Sequence, residues 1–439
     1  MEEAKKRDLP DLRGMVLAAG HGTRMGSLST LLPKPLLPVC GLPLIRYSLA
    51  HLGEAGLRDV VVNLHHLGGM IKEELGECGG IVEDFLQNNG KDRARTEESG
   101  NTEENDHLKY VGRGGNGPYG LNVYYSEEKG DILGTGGGIK KVRDFFSGST
   151  FVVFNGKIVC NLDVARAVAF HKKMGALATM VLRPEPDPYS WGAVETDGDG
   201  WIQTIAGAAR PESFVKSRAS ATNDEVKAES AAEQNRDNKD EIAGTQRQKH
   251  TARRIWSKAK VPVKGYVFTG IHIMEPEFLD VLGDGPSCIV RDGYFKHLRQ
   301  GAPLAGFVHE GYWQDHSTPA RYVQGNMRVL DWQTGLFENT GFPDLNGIQE
   351  ETEISDDAVI VPPVLICKGA KVGAGARIGP GAVIGKDAVV RENKVVSNAV
   401  VWDGAEVDAD AVSAVVTPHG VVQVNLSDMG AKTGPALSK

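Results

Sequence analysis

Two basic side chains near the start of the chain, Arg24 and Lys34, are of the types that bind phosphate. They follow an apolar run at 15–19 and a loop that begins with Gly20 and Gly22. Glycine lets backbone N–H groups approach an anion closely. A guanidinium can form paired hydrogen bonds to phosphate oxygens, and an ammonium supplies a compact charge. We therefore favour a phosphate or nucleotide site over a plain turn with two solvated cations.

A second glycine-rich loop, Asp131 to Ile139, follows a predicted strand at 121–126. Gly136, Gly137 and the next glycine have no Cβ, so a flat ring could lie against this backbone. The alternative is a tight turn that allows a helix to pack on the sheet. Because the first loop already indicates a nucleotide, we expect the base to bind at the second.

Buried strands alternate with helical segments over the first 330 residues, which predicts an α/β fold with a doubly wound sheet. Ligands bind such sheets at the carboxyl ends of the strands. His65 and His66 follow the predicted strand at 59–64, but a pair of this kind is more typical of a loop than of a ligand site. Two polar segments, about 88–118 and 209–260, have few large apolar residues, so we expect disordered insertions.

The composition of the 439 residues excludes several classes of protein. A net charge of −8 argues against general nucleic-acid binding. The five cysteines form no C-x-x-C pair, so neither a zinc site nor a disulfide framework is indicated, and we expect reduced thiols. No secretory h-region and no run of roughly 18 apolar residues is present, so the expected location is cytoplasmic with no membrane contact.

A strict six-residue period begins at Ile354 and sets the fold of the last part of the chain. After a slip of one residue the pattern resumes at Val401 and Val407. This period is typical of a parallel β-helix. The branched residues that keep it are Ile354, Ile360, Ile366, Val372, Ile378, Ile384, Val390 and Val396.

The stretch Met15 to Val39 closely resembles the signature of sugar-1-phosphate nucleotidylyltransferases, L-A-A-G-x-G-T-R-M/L followed by P-K-P-L. The N-acetylmuramate-1-phosphate uridylyltransferase and mannose-1-phosphate guanylyltransferase types are the most similar. The resemblance covers residues 14 to about 330 apart from the insertions. Further matching motifs occur in the expected order: Val61–Leu67, Gly134–Ile139, Asn155–Gly156, Thr269–Ile273 and Tyr312–Asp315.

The resemblance implies a Rossmann-like mixed sheet of the GT-A-like nucleotidyltransferase type at 14–335, followed by a left-handed β-helix at 350–423. It also implies formation of a nucleotide sugar and pyrophosphate from a nucleoside triphosphate, UTP or GTP, and a sugar-1-phosphate. Such reactions are catalysed mainly by positioning and charge neutralisation. β-Helix domains in this family often mediate assembly, so a homo-oligomer is possible.

The same resemblance assigns roles to individual residues. Arg24 would stabilise the leaving pyrophosphate, and Lys34 would bridge the α-phosphate and the sugar phosphate. The expected nucleotide-binding residues are Leu17, Ala18, Ala19, Gly20, Gly22, Thr23, Gly136 and Gly137. The expected sugar-binding residues are Asn155, Gly192 and Gly270.

Lys157 departs from the family pattern, which has Asn-Gly-Asp where this chain has Asn155-Gly156-Lys157. In the family that aspartate and a second one, matching Asp315, bind Mg²⁺. A protonated lysine cannot ligate Mg²⁺, which requires hard oxygen donors. Asp315 could still hold one Mg²⁺ with phosphates and water, and Asp163 is a weaker substitute ligand.

Two functions therefore remain open, an active enzyme in which Lys157 supplies part of the metal's charge and a catalytically silent sugar-nucleotide-binding regulatory protein. A dinucleotide-dependent oxidoreductase is disfavoured because Asn63 and Leu64 stand where such a site has Asp or Glu. An additional acyltransferase activity would require a catalytic histidine on a looped-out coil of the β-helix, and none is evident.

Overall fold

The structure is a computed structural model, and it describes residues 12–76, 80–82, 118–210, 263–331 and 347–426. Most of the two segments predicted to be disordered, at about 88–118 and 209–260, lies outside the described residues. Among the helices that are described, none is long and apolar enough to cross a membrane.

An eleven-stranded mixed sheet forms the frame of the larger part of the molecule. Its central strands run parallel, with β1 between β7 and β4, and β13 joins them in antiparallel orientation. The strands up to residue 331 are β1 (Arg13–Leu17), β2 (Pro38–Val39), β3 (Leu42–Pro43), β4 (Asp59–Leu64), β5 (Gly80–Ile81), β6 (Asn122–Glu127), β7 (Phe151–Asn155), β8 (Ile158–Cys160), β9 (Ala178–Arg183), β10 (Val194–Thr196), β11 (Ile202–Ile205), β12 (Ala208–Ala209), β13 (Lys264–Met274), β14 (Leu304–Val308) and β15 (Trp313–Asp315).

Helices cover both faces of this sheet, because its central strands are apolar on both sides. In β1, Val16 faces one hydrophobic cluster and Met15 the other, and both are fully buried. The α-helices within the described residues are α1 (Leu28–Leu31), α2 (Leu44–Glu54), α3 (Gly68–Leu75), α4 (Gly134–Lys141), α5 (Val164–Met174), α6 (Phe295–Arg299) and α7 (Pro319–Leu330). This arrangement confirms the predicted α/β class with a Rossmann-like mixed sheet.

The C-terminal strands stack in three sheets, parallel except for the antiparallel last strand at Gly420–Gln423, and form a β-helix, as the six-residue period predicts. Ile354 pairs with Val372 and Ile360 pairs with Ile378, so equivalent residues lie 18 apart on successive coils. The strands are β16 (Gly347–Ile348), β17 (Glu353–Ile354), β18 (Val359–Ile360), β19 (Val364–Ile366), β20 (Lys371–Val372), β21 (Arg377–Ile378), β22 (Ala382–Ile384), β23 (Val389–Val390), β24 (Val395–Ser397), β25 (Ala399–Val401), β26 (Glu406–Val407), β27 (Ala411–Val412), β28 (Ala414–Thr417) and β29 (Gly420–Gln423).

The β-helix packs directly against the α/β part through one shared hydrophobic cluster. Met25 and Leu28, from the glycine-rich stretch, belong to this cluster together with Leu365 and Trp402 of the β-helix. The indole Nε1 of Trp402 donates a hydrogen bond of 3.2 Å to the Tyr322 hydroxyl of α7. The β-helix therefore supports the back of the stretch that carries Arg24.

Candidate functional site

The first glycine-rich loop leaves the carboxyl end of β1 and presents polar groups to solvent. Gly22 has φ of 70°, which favours glycine, and it begins a short 3₁₀ helix at Thr23–Met25. Met25 is fully buried, whereas Thr23 and Arg24 are exposed. Apart from its two chain neighbours, no described residue has an atom within 4 Å of the position that a Cβ would take at Gly20. The loop thus has a fixed apolar anchor and an open polar side that an anion could approach.

Lys34 runs along this loop, with its Cε 3.4 Å from the place of a Cβ at Gly22. Burial first, and then the charges of Lys157 and Arg24, lower the pKa of Lys34 to about 8, against the opposing effect of Asp315. Three cations therefore converge near one carboxylate. Clustered like charges of this kind suit a multiply charged anion.

Lys157 and Asp315 form an ion pair, with 2.5 Å between Nζ and Oδ2. The antiparallel pairing of β8 with β15 places Ile158 opposite Asp315. Lys157 directly precedes Ile158, so this pairing brings the side chains of Lys157 and Asp315 together. Burial raises the pKa of Asp315, but the charge and hydrogen bond of Lys157 and the hydrogen bond from Ser317 outweigh it, so this pKa lies below its usual range. Asp315 is thus held as a carboxylate beside an ammonium.

Arg321, in the first turn of α7, contacts the same carboxylate from the other side. Its Nη1 lies 3.5 Å from Asp315 Oδ1, and its guanidinium lies 4.3 Å from the centre of the Trp191 ring. The backbone N–H of Arg321 donates to the Thr318 hydroxyl, which caps the helix. The helix start and an aromatic face therefore hold this second cation next to Asp315.

The three residues predicted to bind the sugar border this ion-pair cluster. A Cβ at Gly270 would lie 3.4 Å from Asn155 Cβ, so these two residues are adjacent. Gly192 directly follows Trp191 and has φ of 81°. The Trp313 indole joins the two regions: it donates to the Thr269 carbonyl at 3.0 Å and packs edge-on against Trp191. Their role in sugar binding stays a prediction.

The residues predicted to bind the base are mostly engaged by other parts of the protein. The backbone N–H of Ala18 donates to Asn63 Oδ1 at 2.8 Å. The segment at 285–289 covers the Cβ sides of Gly136 and Gly137, and a Cβ at Gly136 would lie 2.6 Å from Ser287 Oγ. The packing alternative therefore accounts for these glycine faces, and a ring stacked on them would have to displace that segment.

Three histidines meet where the first loop, which contains His21, lies next to the end of β4, which is followed by His65 and His66. The ring of His21 is 5.1 Å from that of His65 and 5.6 Å from that of His66. The Nε2 atoms of His65 and His66 lie within hydrogen-bond distance of the backbone carbonyls of Gly130 and Ser29. Since a carbonyl only accepts, each Nε2 is the donor, and these contacts fit the predicted loop role.

A profile of the nucleotidyl transferase family matches residues 13–331. The chain belongs to this family. Its relatives include the UTP–glucose-1-phosphate uridylyltransferase of Synechocystis, 29% identical over 206 residues, which are 44% of this chain and 43% of that protein. The chain thus covers less than half of that relative's length.

Two further relatives match this chain over longer spans. The mannose-1-phosphate guanylyltransferase of Mycobacterium tuberculosis is 25% identical over 79% of this chain and 71% of its own length. The N-acetylmuramate alpha-1-phosphate uridylyltransferase of Neisseria meningitidis is 24% identical over 73% of this chain and 100% of its own length. Both names match the types indicated by the sequence motifs.

The donor set of this chain does not fit a protein-held Mg²⁺. Asp315 has cations on both of its oxygens, and Lys157 offers no lone pair while protonated. Asp163 is exposed and caps α5, accepting the backbone N–H of Arg166 at 2.8 Å. Among the described residues, no three His, Cys, Asp or Glu side chains are arranged to hold a metal ion.

Sequence reasoning missed Arg321 and assigned no role to Trp191. Neither residue is part of a recognisable spacing, because the two meet only when α7 packs beside the turn that precedes Gly192. The available signal was the cap: Thr318-Pro319 predicts a helix start, which puts Arg321 in the first turn of a helix that begins shortly after Asp315.

Proposed function

We propose that this chain transfers a nucleotidyl group from a nucleoside triphosphate, UTP or GTP, to a sugar-1-phosphate. The observation that carries the proposal is the convergence of Arg24, Lys34 and Lys157 near Asp315, at the carboxyl ends of β1 and β7. Family membership and the names of the relatives support the same reaction class.

In this reaction a phosphate oxygen of the sugar-1-phosphate attacks the α-phosphorus in line. The new oxygen–phosphorus bond forms as the bond from the α-phosphorus to the bridging oxygen breaks, and pyrophosphate leaves with that electron pair. We assign Arg24 to the leaving pyrophosphate and Lys34 to the α-phosphate and the incoming phosphate. Asn155, Gly192 and Gly270 would surround the sugar.

The test is a matrix of UTP, GTP and other triphosphates against a panel of sugar-1-phosphates, with Mg²⁺ supplied as the counter-ion of the triphosphate. Pyrophosphate release together with a new nucleotide sugar for one pair supports the proposal. Arg24→Ala should then lower the rate by about 10²–10³-fold, as expected for a group that stabilises developing charge. Absence of pyrophosphate with every pair would contradict the proposal.

The second candidate is a silent sugar-nucleotide-binding protein, and the ion pair of Lys157 with Asp315 is the observation that favours it. In that case a nucleotide or nucleotide sugar raises the melting temperature, no pair yields pyrophosphate, and Arg24→Ala weakens binding only. We also propose that the β-helix, at 350–423, mediates a homo-oligomer, which light scattering of the full chain would test.

A further inference from the structure

We propose that the Lys157 ammonium and the Arg321 guanidinium replace a protein-bound divalent cation, so that this site binds phosphate with fixed organic charge. The inference rests on the proposed function, since it concerns how the same site holds its phosphates. It accounts for two residues together, one that departs from the sequence pattern and one that the sequence did not reveal.

The formal charge of the site supports the replacement. The family pattern has two aspartates, and this chain keeps the one that matches Asp315 but has Lys157 in place of the other. Changing a carboxylate to an ammonium alters the local charge by +2, which is the charge of one Mg²⁺. The positive charge that a metal would supply to the phosphates is therefore present in the polypeptide itself.

The contacts of Asp315 show why a metal ion would compete poorly. Its Oδ2 pairs with Lys157 at 2.5 Å, and its Oδ1 accepts the backbone N–H of Ser317 at 2.9 Å and faces Arg321 at 3.5 Å. Asp315 is 6% exposed. A divalent ion would have to expel two cations that are already in place, and it would gain a single protein carboxylate. Asp315 thus anchors organic cations.

Both cations are held by more than their pairing with Asp315. The backbone N–H of Lys157 donates to the Asn155 carbonyl at 2.7 Å, and its carbonyl accepts the N–H of His316 at 3.1 Å. Arg321 lies against the face of Trp191 and is itself 5% exposed. Charge that is positioned before the substrate arrives stabilises bound phosphate without further reorganisation.

Lys34 and Arg24 place the reacting phosphates next to this pair. Lys34 lies within electrostatic range of both Lys157 and Arg24, so positive charge continues from Asp315 to the first glycine-rich loop. Arg321 in turn lies within range of Arg24. A polyphosphate bound along this line would relieve the mutual repulsion of these four cations, of which Lys34, Lys157 and Arg321 interact with the buried carboxylate of Asp315.

The deciding measurement is Mn²⁺ binding to the full chain without nucleotide, followed by electron paramagnetic resonance. Asp315 should hold no Mn²⁺ in wild type, so wild type and Asp315→Asn should bind the same amount of Mn²⁺. Lys157→Asp places a second carboxylate beside Asp315. This variant should gain one Mn²⁺ site, with an affinity on the order of tenfold or more above that of wild type for Mn²⁺. The matched control is Lys371→Asp. In wild type Lys371 forms an exposed ion pair of 2.8 Å with Glu353, so this change also puts two carboxylates side by side, but in solvent, and it should gain no such site.

A second measurement compares triphosphate affinity in excess EDTA. Wild type should keep its affinity, whereas Lys157→Gln, which removes the charge without adding a carboxylate, should weaken binding at least about tenfold, equivalent to ~1.4 kcal/mol. If Lys157→Asp does not fold, the wild-type titration and Lys157→Gln still decide the question.

A stoichiometric Mn²⁺ site in wild type that Asp315→Asn abolishes would overturn the inference, as would an unchanged affinity of Lys157→Gln in EDTA. Neither measurement uses a sugar-1-phosphate or turnover. If no sugar-1-phosphate accepts the nucleotidyl group, the proposed function is contradicted. The Mn²⁺ and EDTA measurements would still decide whether Lys157 and Arg321 replace a metal ion.

Discussion

Asn63 and Glu128 are joined by a buried hydrogen bond of 2.6 Å that connects the two glycine-rich loops. Asn63 Oδ1 accepts the backbone N–H of Ala18 at the end of β1, and Glu128 Oε2 accepts that of Leu133 directly before α4. Both loops are thus tied to one pair of side chains between β4 and β6. The relative position of the loops is set by this pair.

We expect Asn63→Ala to lower both the free energy of unfolding and the affinity for a triphosphate. The change leaves a buried N–H and one oxygen of Glu128 without their partner, which costs about 1–3 kcal/mol. Chemical denaturation and calorimetric titration would measure the two effects. Asn122→Ala is the control, because it removes a partly buried bond to Asp59 and should leave triphosphate affinity unchanged. Equal losses of affinity in both variants would contradict this role of Asn63.

The fold could be predicted from the sequence where a local pattern repeats. In the β-helix, residues that keep the six-residue period pair with their equivalents one coil later, as Val372 does with Val390 and Ile378 with Val396. The period in the sequence therefore predicts the strand register directly. The slip is visible in the register as well, because Ala382 pairs with Ala399, 17 residues on. The strands of the mixed sheet were predictable for a related reason, since buried parallel strands are short apolar runs.

The candidate site could be predicted only in part. Arg24 and Lys34 lie in one continuous motif, and Lys157 stands out because it interrupts another. Arg321 is close to Asp315 in the chain, but its guanidinium packs on Trp191, which lies far away in the sequence, and no local spacing records that contact. The covering of Gly136 by Ser287 was hidden for the same reason, because the segment at 285–289 has no pattern of its own.

Gly137→Ala should destabilise the fold, and Gly69→Ala should not. A Cβ at Gly137 would overlap the backbone carbonyl oxygen of Gly285, and overpacking of this kind costs about 1–3 kcal/mol. Gly69 also lies in a helix, but no atom of the part of the chain that the structure describes comes within 4 Å of the place of its Cβ, chain neighbours and its own helix aside, and alanine there should gain up to about 0.5–1 kcal/mol.

Thermal and urea unfolding of the two variants would measure this difference. A Gly137→Ala protein as stable as wild type would mean that the segment at 285–289 yields easily, and a base could then lie on α4 after all.

The affinity for a triphosphate should fall above about pH 8. Burial first, and then the charges of Lys157 and Arg24, lower the pKa of Lys34 from 10.5 to about 8 in the free protein. A bound polyanion favours the ammonium and raises this pKa. Below pH 8 the lysine is charged in both states, and at higher pH binding must take up a proton, so affinity declines by up to about tenfold per pH unit.

Isothermal titration between pH 7 and 9.5 would measure this dependence. Lys34→Arg keeps its charge throughout and should flatten the curve, whereas Lys140→Arg, which changes a partly exposed lysine paired with Asp284, should leave the wild-type slope. Identical slopes for wild type and Lys34→Arg would show that another group controls the effect.

The β-helix should be needed for the phosphate loop to keep its shape. Trp402 shares a hydrophobic cluster with Met25 and donates to Tyr322, whose hydroxyl donates to the Pro38 carbonyl at 2.6 Å. Trp402→Ala should cost about 3–5 kcal/mol of unfolding free energy, and it should weaken triphosphate binding because Met25 anchors the helical turn that contains Arg24.

Trp402→Phe keeps most of the apolar contact and should cost about 1 kcal/mol for the lost hydrogen bond. Val359→Ala, at a residue that is 47% exposed on the β-helix, should change stability by no more than about 0.5 kcal/mol. Denaturation followed by triphosphate titration would separate the two effects, and a destabilised Trp402→Ala protein with wild-type affinity would mean that the loop keeps its shape without the β-helix.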